Sequence, residues 1–153
     1  PSATTNIHEF NVYFDNVQAH AVRVTHATHS YPLQLAEVVV KGYVVPTRPT
    51  HADLTQGGIA TQDCTAHGGV ASRAIDGNTD GYWWSGSSVT HTCGGANVWW
   101  QVVLENEAVV SQVDVFNRLD AHSQMLGGAT VELLRYEGTD LVLVAAHSLP
   151  SAT

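Results

Sequence analysis

The stretch that decides the fold is Val109-Val110-Ser111-Gln112-Val113-Asp114-Val115-Phe116-Asn117. Apolar and polar residues alternate along it, as expected for a strand that turns one face to a core. Comparable β-branched and aromatic runs recur along the chain, and no stretch shows a helical period. These further runs are 8–14, 20–26, 33–43, 98–104, 130–136 and 141–146. The pattern predicts an all-β domain.

Turn-forming residues separate the runs. Clusters of Gly, Asn, Asp and Ser occur at 68–69, 76–81, 94–95 and 127–128, and these residue types favour turns or reach positive φ. Many strands joined by polar loops indicate a β-sandwich or jelly roll. Residues 44–56 contain two prolines and no apolar period, so they are interpreted as a linker.

Size and charge limit the class of protein. With 153 residues, 44% of them hydrophobic, the chain is expected to form one domain. A net charge of −8 argues against nucleic acid and anionic membrane surfaces as partners, since both require positive potential. No apolar run is long enough to span a bilayer, and residues 1–5 lack the charged and apolar regions of a signal peptide, so a mature or excised piece of an extracellular protein is expected.

Two cysteines and a repeated tetrapeptide stand out. Cys64 and Cys93 allow a single intrachain pairing, so one disulfide between them is predicted, with two reduced thiols as the alternative. Pro-Ser-Ala-Thr begins at Pro1 and again at Pro150. A match of four residues can arise by chance or from cloning, but it also fits one repeat taken from a tandem array.

Four motifs resemble the F-type lectin (fucolectin) family. They lie at 68–80, 88–92, 99–102 and 117–120, in the order and spacing of that family. The resemblance implies a jelly roll of the discoidin type. The family's closing strand matches 31–40, at the opposite end of this chain, so the predicted domain joins 57–153 to 5–43 in permuted order. Two half-domains exchanged between chains are the alternative.

The family's sugar-binding signature begins with a His, which is followed after 26 residues by Arg-x-Asp. After four more residues comes a second basic residue, Arg or Lys. This chain supplies His91, Arg118 and Asp120 at that spacing, but has Met125 in place of the second base. The resemblance implies that His91 and Arg118 donate to the hydroxyls of a fucose-like 6-deoxy sugar, while Asp120 orients Arg118.

The other side of the predicted site is apolar. The resemblance assigns the sugar's methyl group to a wall, and the local candidates for it are Trp83, Trp84 and the ring of His67. His122 and Gln124 are candidate donors to replace the missing base. Loss of that base is expected to weaken sugar binding about tenfold or more.

The resemblance also implies a structural calcium ion. The predicted ligands are main-chain oxygens of Arg73 and Ser88, with side chains of Asp76, Asn78 and Glu37. Oxygen ligands suit Ca²⁺ better than transition metals.

The expected function is binding without catalysis. No nucleophile with a neighbouring base and no pair of poised carboxylates has a recognisable signature here. The leading interpretation is a secreted lectin that recognises fucosylated or related glycans and gains avidity through several repeats, as in bivalve sperm bindins or defence lectins. The alternative is a discoidin-like cell-adhesion module that binds protein or lipid through a degenerate sugar site, which Met125 favours.

Overall fold

The computed structural model describes residues 7–27, 31–45 and 53–151. These residues form strands and two 3₁₀ helices, Ala71–Ile75 and Ser123–Leu126, which confirms the all-β prediction. In chain order the strands are β1 (Glu9–His26), β2 (Leu35–Val44), β3 (Ile59–Gln62), β4 (Val98–Asn117), β5 (Thr130–Glu137) and β6 (Asp140–Ser148). None of the helices described is long and apolar enough to cross a membrane.

Two long antiparallel strands organise the discoidin-like sandwich. The sheet order is β2-β4-β1-β5-β6, with β3 on β4. The first part of β4 pairs with β3 and with the second half of β1, whereas its second part pairs with the first half of β1 and with β2. Because both long strands continue from one half of the sandwich into the other, the two halves share one core.

The sequence pattern divided each long strand in two. It predicted separate strands at 8–14 and 20–26, and again at 98–104 and 109–117, whereas β1 and β4 are continuous. The polar residues between the runs, such as Asp15 and Glu105, do not form turns. They are exposed residues within the continuous strands. The pairing of β1 with β4 shifts register at Tyr13/Val17 and Ala19/Ala21, so the strands bend by bulging instead of ending.

The core draws on both ends of the chain. Trp100 is fully buried, and its indole Nε1 donates to the carbonyl of Ala71 at 2.9 Å. Val38 and Val40 of β2 pair opposite Val115 and Val113 of β4 and are also fully buried. Residues 35–44 therefore belong to the same sandwich as residues 98–117.

The structure describes only part of the predicted linker, 44–56. Leu54 and Thr55 are buried, and the Asp53 carboxylate accepts from the amide of Val40 at 3.0 Å, so residues 53–56 pack against the fold. Residues 46–52 of the predicted linker lie outside the described residues. The permuted order, with 57–153 as the first part and 5–43 as the closing part, stays a prediction.

Candidate functional site

His91 lies on an extended segment that is hydrogen-bonded on both sides. On one side, the amides of Thr90 and Thr92 donate to the carbonyls of Leu35 and Leu33 at 2.8 and 3.1 Å. The Thr90 and Thr92 hydroxyls accept from the amides of those two leucines in return, at 2.9 and 2.7 Å. The segment before β2 therefore lies directly beside the one that carries His91.

A glycine permits the close approach on the other side. The amide of His91 donates to Gly69 O at 2.9 Å, and Ala66 N donates to His91 O at 2.9 Å. A Cβ at Gly69 would lie 2.5 Å from the His91 amide nitrogen. This packing brings His67, whose φ is 51°, over the site.

The predicted disulfide is confirmed. Cys64 and Cys93 are bonded, with 5.3 Å between their Cα atoms. The bridge joins the loop after β3 to the residues that follow His91. It therefore covalently ties together the two loops that bring His67 and His91 into contact.

An aromatic wall stands beside His91. The ring of His67 packs edge-on to His91 with 4.8 Å between centroids, and Trp83 does so at 5.4 Å. Trp83 also lies 5.1 Å from the guanidinium carbon of Arg118. Trp84 does not join this wall, because 88% of its surface is exposed. The two tryptophans are adjacent in a turn, and Trp83 is the one whose ring contacts His67 and His91.

The loop that carries Trp83 is held against the end of β4. The amide of Leu119 donates to Gly81 O at 2.8 Å, and a Cβ at Gly81 would lie 2.4 Å from the carbonyl oxygen of Asn117. The amide of Trp83 itself donates to Oδ2 of Asp120 at 3.2 Å. Asp120 thus positions the aromatic wall as well as its arginine.

Arg118 is buried, with 6% of its surface exposed. Its Nε and Nη2 both donate to the Asp120 carboxylate, the latter at 3.1 Å, and its Nη1 donates to Oε1 of Gln34. An arginine side chain carries five N–H groups. Two of them, one on each Nη, therefore remain to donate to a ligand.

Asp120 remains ionised in this setting. Burial acts to raise the pKa of its carboxyl group, but the hydrogen bonds and charge of Arg118, together with the Trp83 amide, hold that pKa below its usual value. The ion pair is therefore intact across the physiological range.

His91 presents an acceptor, not the donor that the sequence suggested. Its Nδ1 lies 2.7 Å from the carbonyl oxygen of Thr92, an atom that can only accept, so Nδ1 carries the proton in the neutral ring and Nε2 is left unprotonated. Burial lowers the pKa of His91, and the neighbouring His67, Arg118 and His122 lower it further. The ring is accordingly neutral near pH 7.

The predicted site residue Met125 lies beside Gln34, a residue to which the sequence assigned no role. Gln34 is buried and its Nε2 lies 3.3 Å from Sδ of Met125, while its Oε1 accepts from Arg118. His122 is exposed next to this group. An amide inside an apolar strand pattern gives no local signal of such a role, since only the fold brings it to Arg118.

A second cluster lies around Glu37, whose side chain is fully buried. Its Oε1 accepts from the amide of Gly77 at 3.1 Å, whereas Oε2 has no hydrogen-bond partner. Burial raises the pKa of Glu37 to about 8, and the charge of Asp76 adds to the effect. An unpartnered buried carboxylate beside a second carboxylate is an environment that a bound cation would stabilise.

The other predicted calcium ligands lie in the adjoining loop. Asp76 Oδ1 accepts from the amide of Asn78 at 2.9 Å, and the buried Ser88 donates through its hydroxyl to the carbonyl of Asp80. The described part of the chain holds no group of three or more His, Cys, Asp or Glu side chains suited to a metal. Main-chain oxygens, including that of Arg73, would have to complete the site.

A protein-family model matches part of this chain. The model described as "NedA-like, galactose-binding domain" matches residues 73–150, about half of the chain. No solved structure matches.

Eel proteins are similar to this chain. Fucolectin-6 of Anguilla japonica is 37% identical over 100 residues, which cover 65% of this chain and 50% of the relative. Fucolectin of Anguilla anguilla is 35% identical over 95 residues, covering 59% and 60% respectively. The chain thus spans roughly half the length of these curated relatives.

Proposed function

Because this chain belongs to the family of NedA-like, galactose-binding domains, we propose that it is a carbohydrate-binding lectin domain that recognises fucose or a related sugar. The observation that carries the proposal is the group formed by His91, Arg118 and Trp83. It combines a neutral acceptor, two available guanidinium N–H groups and an aromatic ring within one site. The relatives described above are named fucolectins, which supports sugar as the ligand class.

The site binds by hydrogen bonds and ring contacts. The two available N–H groups of Arg118 donate to adjacent oxygens of the sugar, and Nε2 of His91 accepts from a hydroxyl group. Trp83 and His67 offer ring surface to the methyl group and C–H bonds of a 6-deoxy sugar. These roles require no bond to be made or broken, in keeping with the expectation of a non-enzymatic protein.

The two adjacent tryptophans provide a matched test. We expect isothermal titration calorimetry to detect fucose binding to the wild type, and Trp83→Ala to weaken that binding by about tenfold, since it removes the wall and the contact with Arg118. Trp84→Ala should leave fucose affinity unchanged, because its side chain is exposed to solvent. Equal losses in both variants, or no binding by the wild type to fucose or galactose, would refute the proposal.

Sugar binding should depend on pH through His91. The pKa of the His91 ring is below the ordinary 6.5, so the ring stays neutral down to that lowered pKa. Sugar affinity should be constant over this range and fall at more acidic pH. Protonation would turn the Nε2 acceptor into a donor and add positive charge beside Arg118. Calorimetric titrations of fucose between about pH 8 and pH 5 measure this, with His91→Gln as the comparison that should show a flatter profile. Affinity that rises on acidification would contradict the acceptor role.

We propose that the Glu37 cluster binds a structural calcium ion. Glu37 and Asp76 would hold it, together with Asn78 and main-chain oxygens of Arg73 and Ser88. The support is the unpartnered Oε2 of Glu37 and its proximity to Asp76. The ion would supply positive charge that allows the Glu37 carboxyl group to ionise, and it would thereby link β2 to the 76–81 loop.

Calcium should therefore raise the melting temperature. Binding to the folded state at a hundredfold excess over Kd corresponds to about 2.7 kcal/mol. In thermal melts with and without calcium, Glu37→Gln should lose most of this response, whereas Glu137→Gln, an exposed acid at the end of β5, should keep it. An equal calcium response in wild type and Glu37→Gln would show that the ion does not bind there.

We also propose that the domain is secreted and acts in several copies. The disulfide supports an oxidising compartment, and the repeated Pro-Ser-Ala-Thr supports a tandem array. A single site with few polar contacts binds a monosaccharide weakly, and linked copies raise the effective concentration. The alternative of an adhesion module that binds protein or lipid is favoured by Met125 in the family's second basic position.

A further inference from the structure

We propose that Gln34 is a positioning residue that orients Arg118 for the sugar, in a site that lacks the second basic residue of the family signature. This inference rests on the proposed sugar-binding function. Gln34 precedes β2, and 84 positions separate it from Arg118 in the chain, yet the two side chains are hydrogen-bonded. Residues 33–35 therefore contribute to a site whose other members lie between 67 and 125.

The backbone around Gln34 determines where its side chain lies. Leu33 and Leu35, on either side of it, are each hydrogen-bonded twice to the segment of Thr90 and Thr92 that carries His91. Gln34 itself is 3% exposed, so its amide has little freedom to rotate into solvent. The same backbone pairing thus places the acceptor of His91 and the anchor of Arg118.

An amide satisfies both neighbours at once. Its oxygen accepts from Nη1 of Arg118, and its nitrogen lies 3.3 Å from the Met125 sulfur, a weak acceptor. Arg118 is consequently held at two places, by Asp120 at Nε and Nη2 and by Gln34 at Nη1. The guanidinium plane cannot turn without breaking one of these contacts, so the two available N–H groups keep a fixed direction.

Met125 and Gln34 form a matched pair. An Arg or Lys at position 125 would place its N–H groups next to the Gln34 side-chain NH₂, and two donors cannot bond to each other. The Met125 thioether instead accepts from that NH₂ group. The site therefore recognises its sugar through one anchored guanidinium instead of two. The sugar class that fits is one presenting two adjacent oxygens to Arg118 and one hydroxyl to His91.

Two variants of Gln34 separate positioning from packing. Gln34→Met keeps a similar side-chain volume but has no strong acceptor, and we expect about tenfold weaker fucose binding together with a changed ratio of fucose to galactose affinity. Gln34→Glu keeps an oxygen that accepts from Nη1 and should bind within about threefold of the wild type. Gln18→Ala, a change at an exposed position of β1, is the control and should have no effect.

A spectroscopic measurement reports on Arg118 without sugar. Nitrogen-15 NMR should resolve separate Nη proton signals for Arg118 in the wild type and in Gln34→Glu, and exchange-averaged signals in Gln34→Met. Resolved signals and wild-type affinity in Gln34→Met would overturn the proposal. If the wild type binds no sugar but the NMR pattern is as expected, the proposed function fails while the positioning role stands.

Discussion

Replacing Arg118 with lysine is expected to weaken sugar binding by at least about a hundredfold. Lysine keeps the positive charge but cannot make the bidentate contact with Asp120 while donating to two sugar oxygens. Each charge-assisted hydrogen bond contributes about 1.5–3 kcal/mol, and two are at risk. A large loss of sugar affinity is therefore expected even from a substitution that keeps the positive charge at position 118.

Arg118→Ala should abolish binding and also reduce stability. Because Arg118 is buried, its removal leaves the buried Gln34 oxygen without its partner, at a cost of about 1–3 kcal/mol, and the partly buried Asp120 carboxylate without its ion pair. Calorimetry with fucose, paired with thermal melts, separates the two effects. Arg135→Lys, a change at an exposed position of β5, is the control. Wild-type affinity in Arg118→Lys would mean that sugar is bound elsewhere.

Removing the disulfide is expected to produce the largest loss of stability. The bridge closes a loop with a sequence separation of 29 between Cys64 and Cys93. A closed loop of this size is worth about 3–4 kcal/mol in the chain-entropy model. For a domain of this length, the double variant Cys64→Ser/Cys93→Ser should therefore melt roughly 10 °C lower.

Chemical denaturation of the oxidised protein, the reduced protein and the double variant measures this effect. Reduced wild type and the double variant should unfold at the same denaturant concentration, below that of the oxidised protein. Sugar affinity should fall as well, because the bridge ties the His67 loop to the His91 segment. Equal midpoints for oxidised and reduced protein would show that hydrogen bonds such as Ala66 N to His91 O already hold the two loops.

The sequence by itself determined the class of fold and several members of the site. Alternation along 109–117 and 33–43 predicted strands that the structure contains, because successive side chains of a strand lie on opposite faces of the sheet. The two cysteines allowed only one intrachain pairing, and that pairing is present. The spacing of His91, Arg118 and Asp120 identified three residues that the structure brings together around Trp83.

Only the tertiary structure decided how these pieces meet. In the folded chain, each pair of predicted strands forms one continuous strand that includes exposed polar residues. Trp84 is exposed to solvent, and Arg118 is buried. The tertiary structure also gave His91 an acceptor nitrogen through Thr92 O and placed Gln34 on Arg118. Periodicity and motif spacing report on neighbours along the chain. A hydrogen bond between residues 84 positions apart depends on backbone pairing and packing that no local pattern contains.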